Sequence, residues 1–168
     1  MPYRNAQDTY DVLGKNVISE VTLTLSVGGA QGANDFVGVS STPMTFAGCA
    51  AENGGSGKVT ACLFVDGDLQ GIVAELWLFD QLPAGFPLDN AAWTVTDATA
   101  KYCIGVIPLP AASYYASALN SVCLGVPAAP LAFKCTANST ALYGAFVTRG
   151  TPTYTTAVPF FRLYITQD

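Results

Sequence analysis

The stretch that decides the fold is residues 58–80, KVTACLFVDGDLQGIVAELWLFD. Residues 59–65 alternate with a period of two, as expected for a β-strand. Residues 72–79 are apolar on both faces apart from one glutamate, which is typical of a strand packed between two layers. The intervening DGDLQG, residues 66–71, supplies turn-forming side chains. The stretch therefore predicts two strands joined as a hairpin at the centre of a β-sandwich.

The rest of the chain repeats this pattern of short apolar runs separated by turn signals. Clear examples are residues 17–27, 103–107, 140–148 and 160–166. The count is about nine strands, which predicts a single all-β domain, a sandwich or a barrel, over residues 17–168. Asp97 is placed to cap one short helix near residues 97–102. Residues 1–16 are polar and mixed, and we expect an extended N-terminal arm there.

The composition indicates that the protein buries part of its apolar surface against a partner. Hydrophobic residues make up 51% of the sequence and charged residues only 11%, which is low for a soluble monomer. The net charge of −5 argues against nucleic acid as the main ligand. Residues 102–133 carry no charge, but four prolines within this run argue against a membrane-spanning helix.

The charges are distributed unevenly along the chain. Residues 1–101 hold 11 acidic and 4 basic residues, a balance of −7, whereas residues 102–168 hold 1 acidic and 3 basic residues, a balance of +2. Strands with so few charges place small polar or tyrosine side chains on their outward positions, which is typical of interfaces. We therefore expect residues 102–166 to supply most of a contact between copies. The candidate residues are Tyr114, Tyr115, Tyr143, Tyr154 and Phe160.

No catalytic or metal-binding constellation is evident. The chain has no histidine, so Ser-His-Asp and Cys-His nucleophiles and imidazole-ligated zinc are excluded. Residues 54–59, GGSGKV, resemble the end of a phosphate loop but lack its required Ser or Thr after the lysine. Asp66, Asp68 and Asp80 could bind a hard cation, but turn formation accounts for the first two. We therefore predict no enzyme activity, no cofactor and no metal.

Five cysteines stand at positions without any CxxC pair, and residues 1–16 lack the apolar run of a signal peptide. Free thiols formed in a reducing compartment are therefore expected. The cysteines are Cys49, Cys62, Cys103, Cys123 and Cys135.

The order of several motifs resembles the head decoration (cement) proteins of tailed phages. The carrying segments are Gly57-Lys58-Val59, Asp66 before Gln70, residues 76–80 (LWLFD), Asp89 and Asp97 around a strand, residues 142–144 (LYG) and residues 149–154 (RGTPTY). They span residues 17–166, nearly the whole chain. Residues 34–40 depart from the pattern of that family.

The resemblance implies a jelly-roll protein that binds the outer surface of an assembled capsid, with the major capsid protein as partner. It also implies a homotrimer that assembles in the cytoplasm of the host bacterium and resides in the virion. The expected capsid contact is the N-terminal arm, through Tyr3, Arg4, Tyr10 and Leu13. The alternative is a jelly-roll receptor- or carbohydrate-binding module of a phage fibre. A cupin-like enzyme is disfavoured because histidine ligands are absent.

Overall fold

The computed structural model describes residues 14–25, 29–39, 41–155 and 159–168. Within these ranges lie fourteen strands, a short α-helix and a 3-10 helix. The strands are β1 (Lys15–Thr22), β2 (Gly29–Ala30), β3 (Asp35–Val37), β4 (Met44–Phe46), β5 (Ser56–Asp66), β6 (Ala74–Phe79), β7 (Ala91–Ala92), β8 (Cys103–Leu109), β9 (Tyr114–Ala116), β10 (Ser121–Gly125), β11 (Leu131–Lys134), β12 (Leu142–Thr148), β13 (Thr153–Tyr154) and β14 (Phe160–Gln167). The helices are α1 (Asp97–Ala100) and the 3-10 helix Ala111–Ser113.

The longer strands form two antiparallel sheets. The first sheet has the order β1-β14-β5-β10-β9, with β11 also paired to β5. The second sheet has the order β7-β3-β12-β6-β8, with β4 also paired to β12, and β13 pairs with β2 in a small ribbon. Successive strands pass mostly from one sheet to the other, which is the strand order of a jelly roll. The predicted all-β, jelly-roll-like sandwich is confirmed.

The predicted central hairpin is wrong, because its two strands lie in different sheets. β5 pairs with β14, β10 and β11, whereas β6 pairs with β12 and β8. The carboxylate of Asp66 accepts hydrogen bonds from the amides of Asp68, at 3.1 Å, and Gly71, at 3.0 Å. Leu69 and Gly71 both have positive φ, 55° and 54°. This turn carries the chain across the sandwich instead of folding it back beside β5.

The expectation of a strand buried on both faces is confirmed for β6. Leu76 and Leu78 point into the main core between the sheets and are 0% exposed. Trp77 and Phe79 point the other way, into a second apolar cluster on the outer face of the second sheet. Side chains alternate along a strand, so β6 contributes to both clusters.

The segment between β6 and β8 covers this outer face of the second sheet. Phe86 packs against Phe36 with ring centroids 5.5 Å apart, and Trp93 lies 5.7 Å from Trp77. The backbone amide of Trp93 donates to the carbonyl of Asn34 at 2.7 Å. The second sheet is thus covered on both sides by the protein's own residues.

Several local predictions need correction. The helix is capped by Thr96, whose side chain accepts a hydrogen bond from the amide of Thr99, and it ends at Ala100. Strand β8 continues through Pro108, which is tolerated because β8 is an edge strand with one side unpaired. Gly144 lies in continuous register within β12. A Cβ at Gly144 would lie 2.9 Å from the ring of Phe46, so the position needs glycine for packing.

The boundary predicted between arm and domain shifts slightly. Lys15 and Asn16, expected in the arm, pair with Gln167 and Thr166 as the first residues of β1. The arm residues proposed to contact the capsid lie outside the described residues; they are Tyr3, Arg4, Tyr10 and Leu13.

Candidate interaction face

The outer face of the first sheet brings together apolar side chains from several adjacent strands. Its side chains come from five adjacent strands, β9, β10, β5, β14 and β1. We call it the first-sheet face and define it by Tyr115, Val122, Leu124, Ala61, Leu63, Val65, Phe160, Arg162, Tyr164, Ile18 and Glu20. Several of their sequence neighbours point into the core, for example Phe64 and Phe161, both 0% exposed.

Strand register places these side chains in three rows across the sheet. The first row joins Tyr115, Val122, Val65 and Phe160 as successive cross-strand partners. The second row runs from Leu124 through Leu63 and Arg162 to Glu20, and the third joins Ala61, Tyr164 and Ile18. Directly opposite residues in antiparallel strands have Cβ atoms about 5 Å apart. The rows therefore form one continuous surface.

The exposure of this face is high for apolar side chains. Tyr115 is 78% exposed, Ile18 56% and Leu124 51%. Scattered apolar residues on a surface need no explanation, but a contiguous patch marks an interaction site. The first-sheet face is such a patch.

A single ion pair provides the only charges within the rows. The Nε of Arg162 donates to Oε1 of Glu20 at 2.7 Å, and the guanidinium lies 5.8 Å from the ring centroid of Phe160. Both side chains are partly exposed, so the pair adds little to stability. Beyond the rows, the same side of the sheet carries the exposed side chains of Lys58 on β5 and Lys134 on β11.

A groove of ≈ 410 Å³ continues the third row. Asn16, Val17, Ile18, Thr60, Tyr164 and Ile165 line it. It combines one aromatic ring with amide and hydroxyl groups, which is a mixture suited to a small polar ligand or a peptide segment.

The structure separates the five residues predicted to form the interface. Tyr115 and Phe160 lie on the first-sheet face. Tyr114 points to the opposite side and packs edge-on against Phe64, with centroids 6.1 Å apart. Tyr143 packs against the second cluster on the other sheet. Tyr154 is 1% exposed and lies in the main core, so it has no surface to offer a partner.

The sequence interpretation did not identify Ile18, Leu63, Val65, Val122 and Leu124 as surface residues. A signal was present, since residues 61–65 (ACLFV) are apolar at successive positions and so supply apolar groups to both faces of β5. That signal was assigned to β6 alone. The charge-free run 102–133 contains Tyr115, Val122 and Leu124, and the other residues of the face come from the N-terminal half and from β14.

The acidic side chains of the turn after β5 accept hydrogen bonds from other residues of the fold. Asp66 is 0% exposed and both its carboxylate oxygens accept backbone amides. Asp68 accepts hydrogen bonds from the amide and hydroxyl of Thr155. Across the described ranges, no three His, Cys, Asp or Glu side chains cluster as metal ligands would.

A hydrogen-bonded network of Glu75, Arg149, Trp77 and Asn34 lies at the second sheet. Glu75 accepts hydrogen bonds from Arg149, at 2.6 Å, and from the indole of Trp77, at 2.9 Å. Burial alone would raise the pKa of Glu75, but these two donors together outweigh it and hold the pKa below its usual range. Arg149 also donates to Asn34 at 2.6 Å, which links β12 to the turn before β3.

All five cysteines are free thiols, and four of them are buried. Burial raises the pKa of Cys49 and of Cys123 to about 11. It raises the pKa of Cys62 further still. Cys103 is the least buried, although desolvation and then the nearby charge of Asp80 raise its pKa too.

In the folded protein we expect these thiols to react slowly with thiol reagents, with the most exposed thiol reacting first. At pH 8 a thiol reagent should modify Cys103 first in the folded protein, because thiolate formation and access are both suppressed at the other four. In denaturant without reductant all five should react. Cys103→Ser should remove the first phase and leave the rest. Fewer than five reactive thiols in the denatured wild type would contradict the structure.

No helix among the described residues is both long and apolar enough to cross a membrane. Comparison of the sequence with known proteins gives no match to any protein-family model and none to any curated protein.

Proposed function

We propose that this protein is a virion structural protein that binds the outer surface of an assembled phage capsid and stabilises it as a decoration protein. The observation that carries the proposal is the contiguous apolar face on a jelly-roll sandwich. A fold of this kind hosts many functions. The apolar surface and the order of motifs that resembles the decoration family support this one. Stabilisation would follow from mass action, because a ligand that binds only the assembled shell favours assembly.

The proposed partners are the major capsid protein and further copies of this chain, as a homotrimer. We assign the capsid contact to the N-terminal arm, through Tyr3, Arg4, Tyr10 and Leu13. Several weak contacts on one lattice combine into tight binding when geometry allows simultaneous engagement. The trimer is proposed from the resemblance, and the arm is proposed because its polar, mixed sequence is typical of a segment that becomes ordered only when a partner holds it.

Binding to isolated phage heads tests the proposal. Purified protein should co-sediment with heads that lack it, saturate at a fixed ratio to the major capsid protein, and remain in the supernatant with purified tails. A chain that begins at Gly14 is the matched variant for the arm and should lose most head binding while keeping its thermal transition. Full-length protein that sediments with tails and leaves heads bare would contradict the proposal.

The groove beside Tyr164 favours one second candidate, a carbohydrate-binding module of a phage fibre. An aromatic ring next to Asn16 and Thr60 offers stacking and hydrogen bonds to a sugar. Binding on a glycan array that Tyr164→Ala abolishes, together with sedimentation on tails, would select this function over the first.

A further inference from the structure

Three buried hydroxyl groups near the turn after β5 have no hydrogen-bond partner among the described residues. They belong to Tyr114, Ser121 and Tyr154. Ser121 is 2% exposed and Tyr154 1% exposed, so bulk solvent does not reach them. A buried hydroxyl without a partner gives up its hydrogen bonds to water on folding and gains none in return, which is unfavourable. Buried groups of this kind in a folded protein need a physical explanation.

Two of the three hydroxyls belong to the same inner side of the first sheet as the buried carboxylate of Asp66. Ser121 and Asp66 are direct cross-strand partners in β10 and β5, and both are buried. Residues that face each other across antiparallel strands have side chains on the same side, with Cβ atoms about 5 Å apart. Tyr114 joins this side from β9, where it pairs with Cys123 and packs against Phe64.

Tyr154 approaches the same place from the ribbon of β2 and β13. Both of its neighbours in sequence are bonded to the turn after β5. The amide of Thr153 donates to Gln70 at 2.8 Å. The amide of Thr155 donates to Asp68, also at 2.8 Å. These two bonds hold β13 against the turn, and Tyr154 between them points into the main core.

The electrostatics of the two tyrosines agree with this placement. Desolvation is the largest cause that raises the pKa of Tyr114 and of Tyr154, and the charge of Asp66 raises both further. The carboxylate therefore acts on both phenols, although neither phenol donates a hydrogen bond to it directly. We call these four residues the hydroxyl site: Asp66, Tyr114, Ser121 and Tyr154.

The carboxylate at the hydroxyl site has acceptor capacity to spare. Its two oxygens each accept one backbone amide, from Asp68 and from Gly71, whereas each carboxylate oxygen has about two lone-pair sites. Buried polar groups that are near each other but not directly bonded are commonly bridged by water, which makes about three hydrogen bonds to such groups. Water donates to a carboxylate and accepts from a hydroxyl, so one kind of ligand satisfies all the groups of the site.

We propose that the hydroxyl site binds ordered water, which bridges its three hydroxyls to the carboxylate of Asp66. The bridge ties β13 to the first sheet and to the turn by which the chain crosses between sheets. A hard cation fits less well, because calcium takes about six to eight oxygen ligands and the neighbouring carboxylate of Asp68 is bonded to Thr155. This inference goes beyond the proposed function and does not depend on it.

The direction of the stability change in Tyr154→Phe tests the inference. Loss of a water-bridged hydroxyl breaks a hydrogen bond, so the folding equilibrium constant should fall by about three- to tenfold. Loss of a hydroxyl that has no partner removes a buried unpaired group, so the constant should rise. Urea unfolding of the full-length protein measures this constant. An unchanged or higher constant in Tyr154→Phe would overturn the inference.

Two further variants complete this comparison. Ser121→Ala removes a second hydroxyl of the site and should also lower the folding equilibrium constant. Tyr115→Phe is the matched control, because Tyr115 adjoins Tyr114 but is 78% exposed, and water replaces whatever its hydroxyl binds. Its constant should equal that of wild type. A fall in Tyr115→Phe as large as that in Tyr154→Phe would overturn the inference, since the buried site would then have no special effect.

Magnetic relaxation dispersion of the solvent detects the water itself, because it counts internal water molecules that exchange slowly. Wild type and Tyr115→Phe should show the same count, and the double variant Tyr154→Phe/Ser121→Ala should show at least one fewer. Equal counts in all three proteins would overturn the inference. Urea unfolding with added calcium and with a chelator examines the other ligand. A midpoint that calcium raises in wild type, but not in the double variant, would show a cation in place of water.

Discussion

Phe64→Ala is expected to lower the free energy of unfolding by about 3–5 kcal/mol. Phe64 is 0% exposed, and its ring centroid lies 4.8 Å from that of Phe161 in the same sheet and 5.1 Å from that of Phe146 in the opposite sheet. Tyr114 closes a third side. Truncation leaves a cavity between two sheets whose strands cannot collapse independently. A loss of this size is a large part of the 5–15 kcal/mol that stabilises a typical domain.

Denaturant unfolding at a low protein concentration measures this effect without a contribution from association. Leu82→Ala is the matched control, because its side chain is 63% exposed and its loss should change stability by no more than about 0.5 kcal/mol. If Phe64→Ala unfolds within about 1 kcal/mol of wild type, the aromatic cluster does not hold the sheets together.

Asp66→Ala is expected to cost about 2–4 kcal/mol, since hydrogen bonds to a charged acceptor contribute about 1.5–3 kcal/mol each. The carboxylate is fully buried and is the acceptor for the amides of Asp68 and Gly71. Alanine leaves both amides without this acceptor at the turn that carries the chain between sheets. Asp66→Asn retains one carbonyl oxygen and should fall between alanine and wild type.

Asp68→Ala provides the comparison within the same turn. Its carboxylate binds Thr155 at an exposed position, where water replaces lost hydrogen bonds, so the expected cost is about 1 kcal/mol or less. Urea unfolding of Asp66→Ala, Asp66→Asn and Asp68→Ala beside wild type gives the order of their free energies of unfolding. A loss at Asp68 equal to that at Asp66 would show that the buried carboxylate has no special part in the turn.

The sequence predicted the class of fold correctly because apolar periodicity reports which faces of a strand are buried. The two-sided apolar pattern of β6 is present in the structure. The alternation in β5 is interrupted by a bulge at Thr60, so that Val59 and Ala61 lie on opposite faces. Periodicity does not report which strand lies beside which. The turn residues 66–71 fitted a hairpin as well as a crossover, and the buried role of Asp66 distinguishes the two only once its hydrogen bonds are known.

The candidate face could be predicted only in part, for the same reason. Scarcity of charge in residues 102–168 drew attention to Tyr115, which is exposed in the structure. The jelly roll, however, interleaves the two halves of the chain, so that Ile18 and Leu63 lie in rows with residues from the C-terminal half. Tyr114 and Tyr154 have the same side chain as Tyr115, but their positions in the strands point them into the core. Residue type alone does not say which tyrosine is buried and which is exposed.

The stability of genome-filled heads tests the central claim most directly. DNA-filled heads prepared without this protein are heated with and without it, and release of DNA is followed by a dye that binds exposed DNA. The account predicts that saturating protein raises the temperature of DNA release, and that the raised temperature falls back as the protein is diluted below its dissociation constant. Release at the same temperature with and without saturating protein would contradict it.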